Sequence, residues 1–177
     1  SGISRIAGIL NGTTNYMLTQ MEAGATYAAA LAEAQAKGYA ETDPTADVEG
    51  HDAAVKVVIL ANQLLGGQLT LADVGTQGIS GLTRADIAAA ESAGERWKLV
   101  GSVTVSPNGL EAAVSPVRLP LAHPLAGVAG AMNGVTFSTE LAGDVTLIGP
   151  GAGRVETGYA VLGDLLALHR QLTGRLA

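Results

Sequence analysis

The sequence predicts an α+β fold in which helices pack on a mainly antiparallel sheet. Two observations lead to this prediction. The first helical patterns fall within residues 13–95, whereas β-branched runs with hairpin signals fall within residues 97–149. Helices that come first and antiparallel strands that follow are typical of α+β domains.

Composition limits what such a domain does. The chain has 177 residues, of which 47% are hydrophobic and 3% aromatic, so we expect one sizeable core of Ala, Val, Leu and Ile. A net charge of −6 without a basic patch argues against a nucleic-acid partner. The absence of cysteine excludes disulfides and thiolate metal sites. No apolar run approaches the roughly 20 residues of a membrane span, and no signal peptide is visible, so we expect a cytoplasmic protein without a membrane partner.

The first two predicted helices have clear ends. Residues 13–23 form the first, for which Asn11, Thr13 and Thr14 are the candidate N-caps and which Gly24 terminates. Thr26 is a good N-cap for the second, and Gly38 stands at its expected end. Residues 39–50 contain a proline and few apolar side chains, so we predict a loop there.

Two more helices follow this loop. Residues 51–65 are apolar on nearly every face, which predicts a buried helix. Residues 83–95 start with Thr83 and carry Asp86 three positions later, the spacing of a capping box.

Strand signals dominate the second half. Two β-branched runs flank Pro107-Asn108-Gly109, which predicts a hairpin. The runs "GVTFSTEL" and "DVTLIG" predict a second hairpin joined at Gly143-Asp144. A glycine-rich turn then leads into a last helix from about Ala152.

The loop before the apolar helix is strongly acidic. The stretch "GYAETDPTADVEGHDAAVK", residues 38–56, holds five carboxylates and ends in Lys56. Asp52 and Lys56 are four residues apart, so they share a face of the helix. A lysine at the start of an apolar run is expected to be buried and to need a carboxylate partner, and such a pair is suited to proton transfer.

Two other interpretations of the acidic loop stay open at this point. Charged loops are commonly solvated surfaces. Oxygen ligands also suit a divalent cation, but the spacing does not match an EF-hand loop and Pro44 stiffens its middle, so we predict no metal site.

Two glycine-containing segments are candidate ligand contacts. "IGPGAGRVETG" is a strand, a glycine-rich turn and a helix start, which can expose backbone N–H groups to a ligand. It does not spell GxGxxG, and a plain tight turn explains it equally well. "NGTTNY" can present Gly12 and Thr13 to a small polar ligand or simply begin a helix.

Four segments together resemble the homoserine dehydrogenase family: "GILNGTTNYML", "AQAKGYAETDPTADVEGHDAAVK", "LPLAHPLAGVAGAMNGV" and "GPGAGRVETGYAVLGDL". They follow the family's order and cover most of the chain. The resemblance implies an NAD- or NADP-dependent enzyme that interconverts L-homoserine and L-aspartate 4-semialdehyde in the biosynthesis of threonine, methionine and isoleucine.

The resemblance also implies a domain organisation. Residues 1–148 match the family's substrate-binding and dimerisation domain. Residues 149–177 match a glycine-rich turn and a helix that returns to a Rossmann nucleotide-binding domain, whose sequence is not found in this chain. We therefore expect a homodimer, and we expect the 177-residue chain to be inactive without that domain.

Site roles follow from the resemblance as well. It makes Lys56 the acid or base at the reacting oxygen, with Asp52 as its partner, and it makes Glu41 the ligand of the substrate ammonium. The remaining implied substrate contacts are Asp47, Gly12, Thr13 and Tyr39. The implied contacts to the nicotinamide half of the cofactor are Gly149, Gly151, Ala152 and Gly153.

Two other functions are compatible with the sequence. One is a non-catalytic module that binds an amino acid, and the other is a dimerisation scaffold with a solvated acidic loop. The Asp52–Lys56 pair favours the enzyme, since a pure sensor needs no lysine for proton transfer.

Overall fold

A computed structural model describes residues 2–174 and confirms the α+β fold, with a six-stranded, mostly antiparallel sheet. Residues 1 and 175–177, which the predicted domain boundaries include, lie outside the described residues. The strands are β1 Ile3–Ile9, β2 Val74–Thr76, β3 Glu95–Ser106, β4 Gly109–Pro120, β5 Met132–Thr139 and β6 Gly143–Pro150. The helices are α1 Gly12–Glu22, α2 Tyr27–Ala36, α3 Thr45–Val48, α4 His51–Leu64, α5 Arg84–Ser92 and α6 Arg154–Thr173.

The strand order is β2-β4-β3-β1-β5-β6, and only the β2–β4 pair is parallel. The first strand, β1, was not predicted, although it lies inside the sheet. Ile6 of β1 pairs with Val103 of β3 and with Phe137 of β5. Neither partner is near in sequence, so no hairpin turn signals this strand locally. The three-residue β2 was missed for the same reason.

Both predicted hairpins are confirmed. β3 and β4 pair from Ser106 and Gly109 outward, around the predicted turn. In the second hairpin the turn is formed by residues 140–142 and not by the predicted Gly143-Asp144, because Gly143 already belongs to β6 and pairs with Thr139.

Helix starts follow the predicted caps. The Thr26 hydroxyl accepts a hydrogen bond from the amide of Ala29, and Thr83 and Asp86 form a complete capping box. The acidic loop is less irregular than predicted, because α3 forms directly after Pro44. Proline is tolerated at a helix start since its missing N–H is not needed there.

The core has two parts on opposite faces of the sheet. Ile6 and Leu10 belong to the larger part, under the helices, whereas Ala7 and Ile9 belong to the smaller part. This division follows from the alternation of side chains along a strand. The segment Pro124–Gly127 covers the smaller part.

The predicted all-round burial of α4 is wrong. Ala53, Val57 and Ala61 are buried, but Val55 and Ile59 are exposed on the opposite side. The helix lies on β3 and β4 with one face only, so the apolar residues of its other face remain uncovered.

The last helix, α6, is unusual because each of its described residues is exposed. Its exposed apolar side chains are Val155, Tyr159, Val161, Leu162, Leu165, Leu166, Leu168 and Leu172. Within residues 2–174, no helix has both the length and the apolar character that crossing a bilayer requires.

Candidate active site

A polar cavity of about 310 Å³ lies where the end of β1, the start of α1, the acidic loop, α4 and the glycine-rich turn meet. Eight of its lining residues are among the catalytic, substrate-binding and cofactor-binding residues predicted from the sequence. They are Gly12, Thr13, Tyr39, Asp47, Asp52, Lys56, Gly151 and Ala152.

Lys56 and Asp52 form the predicted ion pair on one face of α4. The lysine Nζ donates to Asp52 Oδ2 at 2.7 Å and to the carbonyl oxygen of Leu10 at 2.9 Å. Contrary to expectation, the lysine is only partly buried, since 44% of its side chain is exposed. Its position at the cavity wall explains this exposure, and it keeps the ammonium accessible to a ligand.

Asn11 joins the two aspartates of the cavity. Its Nδ2 donates to Asp47 Oδ1 at 2.6 Å and to Asp52 Oδ2 at 2.9 Å. Its Oδ1 accepts from the backbone amide of Thr14 and so caps α1. The sequence indicated Asn11 as a possible cap, but it gave no sign of the contacts to the acidic loop.

Gly12, Thr13 and Tyr39 form another part of the cavity wall. The Thr13 hydroxyl donates to the carbonyl oxygen of Tyr39 at 2.6 Å, which ties the acidic loop to α1. A Cβ at Gly12 would come within 2.7 Å of the Ala131 carbonyl oxygen, so the close approach of these segments requires glycine. The Tyr39 ring stacks at a tilt on Tyr16, with 5.0 Å between the ring centroids.

Glu41 is the one predicted substrate contact that does not line the cavity. It is exposed on the acidic loop, and its carbonyl oxygen accepts a hydrogen bond from Gln35 Nε2. The structure therefore leaves Glu41 at the surface, outside the lining of the cavity.

The predicted cofactor residues divide between two cavities. Gly151 and Ala152 line the polar cavity, while Gly149 lines an adjacent one of about 360 Å³ that it shares with Gly151. Gly153 lines neither of these cavities and precedes α6. Asn133, which the sequence analysis did not single out, lines both cavities.

A buried lysine lies between β3 and α1. Lys98 is fully buried and donates to Asn15 Oδ1 and to the carbonyl oxygen of Val128. Burial lowers the pKa of Lys98, although the carboxylate of Glu22 opposes the shift. Asn15 also donates to Val128 and Met132, so the two buried side chains hold the segment that leads into β5 against α1.

The arrangement combines a cationic proton donor, two carboxylates and a helix N-terminus around one small cavity. Carboxylates attract a cationic group, whereas the N-terminus of α1 favours an anionic one. A zwitterionic amino acid with a reactive oxygen meets all three requirements.

Comparison with known proteins agrees with this chemistry. The homoserine dehydrogenase family model matches residues 1–166. A relative named NAD(+)-dependent homoserine dehydrogenase, from Pseudomonas canavaninivorans, is 52% identical over 174 residues, which cover 98% of this chain and 49% of the relative. A homoserine dehydrogenase from Mycobacterium tuberculosis is 47% identical over 95% of this chain and 40% of its own length.

Solved structures give the same result. A homoserine dehydrogenase from Thiobacillus denitrificans superposes with a TM-score of 0.94 at 42% identity, over 98% of this chain and 40% of that one. A hyperthermophilic archaeal homoserine dehydrogenase mutant in complex with NADPH superposes with a TM-score of 0.77 at 30% identity, over 93% of this chain and 47% of that one. The chain thus spans about half the length of these relatives or less. It belongs to the homoserine dehydrogenase family.

Proposed function

We propose that this chain binds the substrate and transfers the proton in an NAD(P)-dependent homoserine dehydrogenase, which interconverts L-homoserine and L-aspartate 4-semialdehyde. The observation that carries the proposal is the Lys56–Asp52 pair on the cavity wall. A lysine fixed beside a carboxylate can give a proton to a reacting oxygen or take one from it.

The charges of the cavity suit the amino-acid part of the substrate. Asp47 and Asp52 favour the ammonium side of the ligand, and Asn11 holds both carboxylates in place. The backbone N–H groups at the start of α1 favour the substrate carboxylate at Gly12 and Thr13. Glu41 remains a proposed ammonium contact on the outer side of the substrate.

Lys56 exchanges a proton with the reacting oxygen of the substrate. An ammonium has three N–H donors, and Leu10 and Asp52 occupy two of them. The third is left for the substrate oxygen. During reduction the ammonium gives this third proton to the substrate oxygen as the C4–H bond forms, and the lysine becomes a neutral amine. During oxidation the step is reversed: the neutral amine takes the hydroxyl proton as the C4–H bond breaks. When bound, the nicotinamide accepts or supplies the hydride.

The glycine-rich turn fits the nicotinamide half of NAD or NADP. Gly151 and Ala152 bring backbone with little side-chain bulk to the cavity that holds Lys56. The buried Oδ1 of Asn133, whose side chain lies against Gly151, has no hydrogen-bond partner within the described residues. A polar ligand group at this point would satisfy it.

We further propose that residues 1–148 are the substrate and dimerisation domain, and that residues 149–177 return to a nucleotide-binding domain. The exposed apolar side chains of α6 support this assignment, because a helix with apolar residues on several faces needs cover.

The test uses a complemented protein, in which this chain is joined to the part of the Pseudomonas relative that it does not cover. We expect NAD(P)-dependent oxidation of L-homoserine by the complemented protein and none by the 177-residue chain alone. Turnover by the chain alone would contradict the domain assignment. Calorimetric binding of L-homoserine without turnover by a folded complemented protein would favour the non-catalytic binding module instead.

A further inference from the structure

The carboxamide of Asn133 lies close to two glycines of the cavity wall, Gly12 and Gly151. A Cβ added at Gly151 would collide with the Asn133 amide, and a Cβ added at Gly12 would lie 3.5 Å from Asn133 Oδ1. The amide therefore occupies space at Gly151 that a side chain there would fill, whereas a Cβ at Gly12 would make only an ordinary van der Waals contact with it.

The amide oxygen is buried without a partner. Asn133 Oδ1 accepts no hydrogen bond within residues 2–174. An unsatisfied buried acceptor is costly, and native structures retain few of them without a reason such as a missing ligand. The Nδ2 end of the same amide lies against Gly151, on the glycine-rich turn.

Asn133 also marks the boundary between two unlike spaces. On one side is the cavity with Lys56 and the aspartates. On the other side is the groove of Ile148, Gly149 and Pro150, whose lining within the described residues has Asn133 as its one polar side chain. A flat apolar ring with one polar substituent matches this groove and its single amide.

We propose that Asn133 is a cofactor-orienting residue whose carboxamide pairs with the carboxamide of the nicotinamide ring. This inference rests on the proposed function. A primary carboxamide offers an N–H to Oδ1 and a carbonyl oxygen to Nδ2, so it gives both the acceptor and the donor of the asparagine side chain a hydrogen-bond partner. A substrate carboxylate offers acceptors only and leaves Oδ1 unsatisfied. The χ2 torsion of asparagine is broad, so the amide can turn toward the ring without changing its χ1 rotamer.

The pairing fixes how the ring lies relative to Lys56. Asn133 would thereby hold the ring beside the cavity of Lys56, where the nicotinamide would exchange hydride with the substrate carbon. Orientation of this kind contributes to rate because the reacting atoms must be in near-attack geometry.

The test compares ligands that differ at the carboxamide. In the complemented protein, Asn133→Ala should weaken binding of the reduced dinucleotide (NADH, or NADPH where the wild type prefers it) by about tenfold. Binding of ADP-ribose, or its 2′-phosphate, and of L-homoserine should change less than twofold. The 3-acetylpyridine analogue keeps the carbonyl but lacks the N–H, so the wild type should discriminate against it and Asn133→Ala should not.

Asn108→Ala is the matched control, because Asn108 is exposed in the β3–β4 turn. Equal losses for the reduced dinucleotide and ADP-ribose would overturn the proposal, as would a loss confined to L-homoserine. If circular dichroism shows that Asn133→Ala is unfolded, the wild type alone tests the proposal. The pairing then requires that the wild type bind the 3-acetylpyridine analogue more weakly than the natural dinucleotide. A wild type that binds neither homoserine nor dinucleotide refutes the proposed function, whereas intact binding without analogue discrimination refutes the Asn133 pairing alone.

Discussion

The Nζ of Lys56 donates a 2.9 Å hydrogen bond to the carbonyl oxygen of Leu10. Leu10 directly follows β1, so this bond connects the lysine on α4 to a strand inside the sheet. The bond to Asp52 fixes the same ammonium from its own helix. A proton donor that is held from two elements keeps its position when a substrate enters, as a catalytic group must.

Replacement of Lys56 by alanine should lower kcat of the complemented protein by about 10²–10⁴-fold and change KM far less. The reason is that charge on the substrate oxygen develops mainly in the transition state, so the lost interaction appears in kcat. Steady-state kinetics measure the effect, with circular dichroism as the control for folding. A variant with near-wild-type kcat would reduce Lys56 to a structural partner of Asp52.

Part of the site and part of the fold were predictable because they depend on local spacing. Asp52 and Lys56 are one helical turn apart, and the Thr83–Asp86 capping box and the hairpin at Asn108-Gly109 are equally local. Each of these features requires only neighbouring residues and the period of a helix or a turn. The sequence therefore predicts them without knowledge of the tertiary structure.

The rest of the site depends on contacts between distant segments. Asn11 reaches Asp47 across 36 positions, and β1 finds both of its partners in the second half of the chain. Asn133 stands before a glycine and looks like a turn residue, but it pairs with Gly149 in the sheet. No local pattern distinguishes such an asparagine from an ordinary one.

Replacement of Glu41 by alanine should raise KM for L-homoserine more than it lowers kcat. A contact to the ammonium exists in the bound substrate as well as in the transition state, so its loss appears mainly in binding. The measurement is KM for L-homoserine in the complemented protein, with the exposed Glu111→Ala as the control. Because Glu41 lies outside the cavity wall, an unchanged KM would show that Asp47 and Asp52 suffice for the ammonium.

Asp52→Asn should lower kcat more than Glu41→Ala does and less than Lys56→Ala does. Asparagine keeps the shape and an acceptor for Lys56, but it replaces a charge-assisted hydrogen bond by a weaker neutral one. Lys56 should then be held less firmly, so we expect kcat to fall less than in Lys56→Ala. A loss of kcat as large as that of Lys56→Ala would mean that the Asp52 charge itself is required for chemistry.

The chain should form a homodimer. β6 is an edge strand of the sheet, and Val145 on this strand and Leu141 in the turn before it are exposed. An exposed strand edge with apolar side chains favours association, and a second copy of the chain would bury those side chains. Sedimentation should give a dimer at micromolar concentration, which Val145→Lys weakens and the exposed Val105→Lys does not. A wild-type monomer at that concentration would contradict the prediction.

The last prediction concerns Glu22, at the end of α1. Its side chain is 14% exposed, and its Oε1 is buried without a hydrogen-bond partner within residues 2–174. Burial raises the pKa of Glu22 above its ordinary value of 4.5, and Glu91 adds to the rise. Lys98 and Arg96 oppose it, with Arg96 Nε 3.7 Å from Glu22 Oε2.

The sign of the effect follows from proton linkage. Between pH 4.5 and the raised pKa, folded Glu22 holds a proton that the unfolded chain has already released. Its contribution to the free energy of unfolding is therefore fully present below pH 4.5 and is lost as the pH rises through the folded pKa. For one proton the slope reaches at most about 1.4 kcal/mol per pH unit. The glutamine of Glu22→Gln cannot titrate, so the free energy of unfolding of this variant should rise with pH relative to that of the wild type over this range.

Urea unfolding of wild type, Glu22→Gln and Glu111→Gln from pH 4.5 to 7.5 measures this difference. Glu111→Gln is the control, since it removes the charge of an exposed carboxylate. Its curve should run parallel to that of the wild type, whereas the Glu22→Gln curve should diverge upward as the pH rises. Parallel curves for both variants would mean that Glu22 titrates alike in the folded and unfolded chain, and that Lys98 and Arg96 fully offset its burial.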